Sequence, residues 1–222
     1  MKHIAPTHAM LFEGIDPLDA ERMLPCFDAH ERAYDKGETI MHAGDITHSL
    51  GIVLDGSVNI VANHIWGARD IFVHAEAGQM FGEAYAVSAS KLLVDAVATE
   101  PSRVLLLNAE KLLHVCGRSC PYHHRIIQNL VRIAALKNIA LSRRIMHTAP
   151  KTIRERVLSY LAEQALEHES RSFAIPFSRE QMASYLGVDR SALSAELSKM
   201  QRDGLIRFKK NLFARTALCI DK

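Results

Sequence analysis

The sequence predicts an α+β protein: an antiparallel β-barrel or jelly roll first, then one long helix, then a helical hairpin followed by a small β-ribbon. Three observations predict it. Between Gly37 and Leu107, short apolar runs are broken by Gly and Asp every handful of residues, the texture of antiparallel strands joined by tight turns. From Pro121 to about His147, apolar residues recur at helical spacing. Between Ser178 and Ile206, two short amphipathic patterns meet at Gly187, and a glycine there supplies the positive φ of a sharp turn.

The 222 residues leave room for one large or two modest domains, each able to bury a core. Hydrophobic residues at 48 % and charged residues at 23 % place the chain among soluble globular proteins. The net charge of +2 is unevenly spread: from Pro150 onward 13 Lys and Arg face 9 Asp and Glu, and before it 14 face 16. A basic C-terminal part beside a slightly acidic N-terminal part suits a nucleic-acid reader joined to something else. No apolar run approaches the roughly 18–20 residues of a membrane span, and no signal peptide opens the chain. A cytoplasmic protein without a membrane partner is therefore expected. Cys26, Cys116, Cys120 and Cys219 then read as reduced thiols rather than a disulfide framework.

Residues 1–36 read as an entry segment with one short helix, which starts at Asp16-Pro17 and carries Leu18, Met23 and Leu24 before Pro25 interrupts it. Apolar-rich runs follow at 37–41, 49–54, 57–62, 71–73, 94–98 and 104–107, and Asp55-Gly56 between two of them is a hairpin signal. A turn at 78–83 precedes a short helix at 84–88, and Asn108 caps a helix reaching Val115.

Pro121 suits the first turn of the long helix. Ile126, Leu130, Ile133 and Ala140 form one apolar line, and Ile127, Val131, Ala134, Leu141 and Ile145 form another. Two adjacent lines imply burial on two sides, one against the barrel and one against the same helix of a second copy. Lys137 and Asn138 interrupt the stripes, a device that can fix register. Thr148-Ala149-Pro150 makes a break, and Pro150 starts a helix with Val157, Leu158, Leu161 and Ala165 inward, ending near Glu169. A short strand at 173–175 leads into the helical hairpin. The expected plan is a sensing domain at 1–120, a dimerisation helix at 121–147 and a C-terminal domain at 148–222.

Ser178 with Gln181 forms a capping box, and Asp189 caps the second helix of the hairpin. Two short helices around Gly-Val-Asp make a helix-turn-helix, whose second helix enters the DNA major groove. Arg190, Ser191, Ser194 and Ser198 fall on its outward side. Apolar 205–208, basic Lys209-Lys210 and apolar 212–215 then form a wing. Double-stranded DNA is the expected partner. Arg190 is the candidate base reader, Ser191 and Ser194 reach bases or phosphates, and Ser178, Arg179, Lys199, Arg202, Lys209 and Lys210 are candidate phosphate contacts.

Cys116 and Cys120 with His123 and His124 are the remaining cluster. Thiolates and imidazoles can hold zinc or haem iron or act as a redox pair. Recurring metal sites show tighter spacing, however, and a cysteine is often a small buried hydrophobe. The favoured reading is structural, no metal site is assigned, and no cofactor is named. No nucleophile motif, P-loop or carboxylate pair stands out, so an enzyme is not expected.

In order and motifs the chain resembles the catabolite-activator and fumarate–nitrate-regulator (Crp/Fnr) superfamily. Gly37-Glu38, Gly44-Asp45, Asp55-Gly56, Phe81-Gly82-Glu83 and 178–206 carry the resemblance. It implies a cyclic-nucleotide-binding-like N-terminal domain and a homodimeric bacterial transcription factor that acts with RNA polymerase. In such proteins an effector in the barrel repositions the DNA-reading domains. It also implies an effector site at Phe81, Gly82, Glu83, Ala84 and Tyr85, with Glu83 where nucleotide-binding members hold the ribose hydroxyl. Those members place an Arg about ten residues on to neutralise the phosphate; here the stretch is Lys91-Leu92-Leu93-Val94. A lysine point charge is a poor substitute for a guanidinium fork, so the expected small-molecule effector is not cyclic AMP. Iron–sulfur relatives use an N-terminal cysteine cluster, and only Cys26 lies there. Ser191 and Ala195 stand where many members carry Glu and Arg, so the operator departs from the usual half-site. A second reading is a haem- or redox-responsive sensor acting through protein partners.

Overall fold

The computed structural model describes residues 9–63, 69–114 and 121–215. The chain divides into two compact units, Met1–Ala135 and Leu136–Lys222.

In the first unit, helix α1 (Pro17–Met23) starts on Asp16, whose carboxylate accepts from the Leu18 N–H. Eight strands follow: β1 (His30–Tyr34), β2 (Thr39–Met41), β3 (Ser49–Asp55), β4 (Ser57–Asn63), β5 (Arg69–Glu76), β6 (Met80–Phe81), β7 (Asp95–Ala98) and β8 (Ser102–Asn108). Between β6 and β7 lies α2 (Glu83–Ser88), and after β8 comes α3 (Ala109–Leu113), capped by Asn108. The strands form two antiparallel four-stranded sheets, ordered β1-β8-β3-β6 and β2-β7-β4-β5. The jelly-roll expectation holds; the sheets are not a closed barrel.

Two local expectations need correction. Asp55-Gly56 is not a hairpin: β3 pairs with β8 and β6, while β4 pairs with β5 and β7. The chain instead turns a corner from one sheet to the other at Gly56 (φ +77°), where a Cβ would lie 2.3 Å from Ser102 Oγ. The second correction is β1, which falls in the expected entry segment. Its sequence HERAY buries only Tyr34, so it lacks an apolar pattern, and pairing with β8 holds it in the sheet.

Val53, Phe81 and Val104 of one sheet meet Val58, Ala75, Ala96 and Ala98 of the other in a core between them. Leu50, Ile52, Leu54, Leu105 and Leu107 point the other way, onto Phe12, Phe27, Leu112 and the helix residues Ile126, Leu130 and Ile133. These last belong to α4 (Pro121–Thr148), an unbroken 28-residue helix that extends into the second unit.

In the second unit, α5 (Ile153–Glu167) starts later than the sequence suggests, because Thr152 and Glu155 form the capping box and Pro150 stays outside. Strand β9 (Ser172–Ala174) precedes α6 (Arg179–Leu186) and α7 (Arg190–Arg202), and β10 (Ile206–Lys209) and β11 (Leu212–Arg215) close the wing. The three strands pair in the order β10-β11-β9. Val157, Leu161, Leu186, Leu193, Leu197, Met200, Ile206 and Phe213 form the core that carries the helical hairpin. Among the described residues no helix is long and apolar enough to cross a membrane.

Candidate nucleic-acid interface and effector site

The hairpin is rigid for reasons that can be named. Ser178 Oγ accepts from the Gln181 N–H at 3.2 Å, and the Ser178 N–H donates to Gln181 Oε1 at 2.8 Å. Gly187 ends α6 at φ +63°. Two arginines then cover the last carbonyls of α6: Arg156 donates to Leu186 and Gly187, and Arg144 to Ser184 and Tyr185. Cations on those carbonyls complement the helix dipole. Asp189 accepts from the Ser191 and Ala192 N–H groups at 2.8 and 2.9 Å. These bonds, the Ser191 hydroxyl first, hold its pKa below the usual aspartate value.

With Leu193, Leu197 and Met200 turned inward, α7 presents Arg190, Ser191, Ala195, Ser198, Lys199 and Arg202 to solvent, with Ser194 half-buried at the edge. The Ser194 hydroxyl donates to the Arg190 carbonyl and the Ser198 hydroxyl to the Ser194 carbonyl, each at 2.9 Å. Arg154 of α5 ties the far side of α7 down, with Nε 2.6 Å from Glu196 and a terminal nitrogen 2.7 Å from Asp203. Lys209 and Lys210 are exposed on the wing, and Lys210 takes φ +56° at its two-residue turn. Arg207, also exposed on β10, adds a cation that the sequence pattern did not single out.

Arg179 sits differently from the other candidates. Its guanidinium lies over the rings of Phe208 and Phe213 at 5.1 and 5.5 Å and donates to the Lys210 carbonyl at 3.1 Å. Burial pushes its pKa down. The side chain clamps the wing to α6, a role legible only once the alternate residues of the ribbon are known to face it.

A second buried group carries no signal in the sequence. His147, 3 % exposed as a side chain, places Nε2 2.8 Å from Glu163 and Nδ1 2.9 Å from the Tyr185 hydroxyl. A carboxylate only accepts, so Nε2 carries the proton and Nδ1 accepts from Tyr185. Burial pushes the His147 pKa down, against the raising pull of Glu163.

In the first unit, Phe81 is buried with its ring against Gly51, where any Cβ would collide. Gly82 takes φ +75° and starts α2, whose first residue, Glu83, is 9 % exposed. Ala84 is exposed and Tyr85 packs against the core between the sheets. The five expected effector residues are therefore contiguous at one end of that core. Leu92, from the stretch where a phosphate-neutralising Arg would stand, is 4 % exposed and belongs to the same core, while Lys91 is exposed.

Cys116 and Cys120 lie outside the described residues. His123 is buried edge-on against Phe27 at 5.2 Å, and His124 is exposed beside Gln128. Among the described residues no group of three or more His, Cys, Asp or Glu side chains converges on a metal position.

Two family models match the two units. The cyclic nucleotide-binding domain matches residues 31–119, and the Crp-like helix-turn-helix domain matches residues 155–217. The chain belongs to the Crp/Fnr family. Among curated relatives of this Crp/Fnr chain, the cyclic AMP receptor protein of Thermus thermophilus is 25 % identical over 89 % of this chain and 88 % of that protein. The transcriptional activator protein FnrL of Cereibacter sphaeroides is 25 % identical over 79 % and 71 %. Among solved structures, OCPA-complexed CprK aligns with a TM-score of 0.66 at 16 % identity, covering 89 % of this chain and 88 % of that one. The c-di-GMP responsive regulator CLP of Xanthomonas campestris gives 0.60 at 21 % identity, covering 91 % and 100 %. At such identities these two likenesses show the fold. The protein is thus a Crp-like transcription regulator, with an effector-binding domain and a DNA-binding helix-turn-helix, and not an enzyme.

Proposed function

We propose that the protein is a cytoplasmic homodimer that binds a two-fold promoter site, acts there on RNA polymerase, and responds to an effector other than cyclic AMP. The observation that carries the DNA reading is the capped helix α7, anchored by Leu193, Leu197 and Met200 and presenting Arg190, Ser191, Ala195 and Arg202 outward beside a basic wing. Arg190 reads a guanine, which is worth roughly 1–3 kcal/mol of discrimination when both hydrogen bonds form. Ser191, Ser194 and Ala195 shape the remaining specificity. Ser178, Lys199, Arg202, Lys209 and Lys210 contact phosphates, and Arg179 holds the wing in place.

The effector reading rests on Leu92. A cyclic phosphate enclosed beside an isobutyl group, with no guanidinium to meet it, is strongly disfavoured. The relatives' descriptions name cyclic AMP, OCPA and c-di-GMP, which supports one scaffold serving chemically different ligands. The test is binding-site selection from random duplex DNA with wild type and Arg190→Ala. Wild type should recover a two-fold motif, and the variant should bind it more weakly with relaxed preference at one position per half-site. Recovery of no motif by wild type, with or without a cell extract of small molecules, would overturn the proposal.

A further inference from the structure

Helix α4 carries a pattern that the fold of one copy leaves unused. Val131, Ala134, Asn138, Leu141 and Ile145 follow one another at steps of three, four, three and four, the core spacing of a two-stranded coiled coil. Within one copy, Val131, Leu141 and Ile145 are 62 %, 56 % and 65 % exposed. In this frame Val131, Asn138 and Ile145 take the first core position of each heptad, and Ala134 and Leu141 the second. Lys137 and Arg144 flank the seam on one side, Ala135 and Ser142 on the other.

The flanking charges choose the orientation. Two antiparallel copies would set the Lys137 and Arg144 side against itself, cation facing cation. They would also put the Asn138 amide opposite an alkyl side chain of the other core position. Two parallel copies set that basic side against uncharged Ala135 and Ser142, and bring like core positions level.

We propose that Asn138 pairs with Asn138 of a second copy and pins the two α4 helices parallel and in register, as the one amide layer of this seam. The inference rests on the homodimer reading and deepens it. An amide offers both a donor and an acceptor, so two copies satisfy each other only when level. A slip of one heptad sets each against Val131 or Ile145 and leaves enclosed amides without partners. Within one copy Asn138 is exposed and its Oδ1 accepts from Ser142 Oγ at 3.4 Å, a long contact that yields readily. The register matters because a two-fold DNA site accepts only a two-fold pair.

Charge substitution in the full-length protein tests it by sedimentation equilibrium. Asn138→Asp and Asn138→Lys are both surface changes within one copy, so circular dichroism should match wild type. Each variant alone should dimerise at least about tenfold more weakly, because like charges meet across the seam, and an equimolar mixture should recover the dimer. Variants that dimerise as tightly as wild type, or a mixture that recovers nothing, overturn the pin while leaving the homodimer reading intact. A monomeric wild type overturns both.

Discussion

Gly187 shows how a single backbone angle supports the DNA-reading element. Its φ of +63° lies where a Cβ is disfavoured, and the atom nearest to where that Cβ would stand, Arg156 Nη1, is 3.8 Å away. There is room for a methyl group, so the cost of Gly187→Ala is backbone strain, about 1–2 kcal/mol. A lowered Tm with the fold retained is the expected result in a thermal melt. His147 sets a pH dependence whose sign follows from its burial. Its folded pKa is lowered from 6.5, so it favours the neutral form more than the unfolded chain does. That stability is fully present above the unfolded value and is lost as pH falls through it toward the folded pKa. Resistance of wild type to denaturant should therefore weaken on acidification below about pH 6.5, and His147→Gln, which cannot charge, should flatten that part of the profile. The groups facing it, Glu163 and Glu167 of α5, Arg143 of α4 and Tyr185 of α6, remain in both proteins.

At the scale of elements, the wing separates two kinds of basic residue. Lys209 and Lys210 are exposed at its turn, so removing either should lower the slope of log affinity against log salt by about 0.9 with little change in sequence preference. Arg179 is held on Phe208 and Phe213 and bonded to the Lys210 carbonyl. Arg179→Ala should loosen the whole ribbon, lowering affinity and leaving the wing amides faster in hydrogen exchange than either lysine substitution does. The start of α5 gives a further measure. Thr152 Oγ1 accepts from the Glu155 N–H at 3.2 Å, and loss of such a cap in Thr152→Ala should cost about 1 kcal/mol in denaturant unfolding. Elements with a strong local signal were legible in the sequence. Ser178 and Gln181, Asp189, Asn108 and Asp16 all cap the helices their residue types suggest. Strand β1 was not, because its exposed His30, Glu31 and Arg32 offer no alternation and its place is decided by β8 across the sheet.

For the whole molecule, the effector domain keeps Glu83 at the start of α2 but buries Leu92 in the core between the sheets. Any ligand that binds the folded state raises Tm by mass action. Cyclic AMP at millimolar concentration should therefore leave the melt unchanged, whereas the true effector should shift it. A shift with cyclic AMP would show that Lys91 or another cation reaches the phosphate.

The order of domains, the helix caps, the α7 face and the wing can all be read along the chain, because each rests on residues within a few positions of one another. Features that depend on distant partners emerge only on folding. Gly56 turns between sheets because Ser102 and Pro101 crowd it. Arg179 becomes a clamp because two wing phenylalanines lie under it, and His147 is neutral because α5 and α6 enclose it. Local pattern specifies which way a backbone runs and which side of it is apolar; only packing brings together groups far apart in the chain and removes the water that would otherwise set their charge.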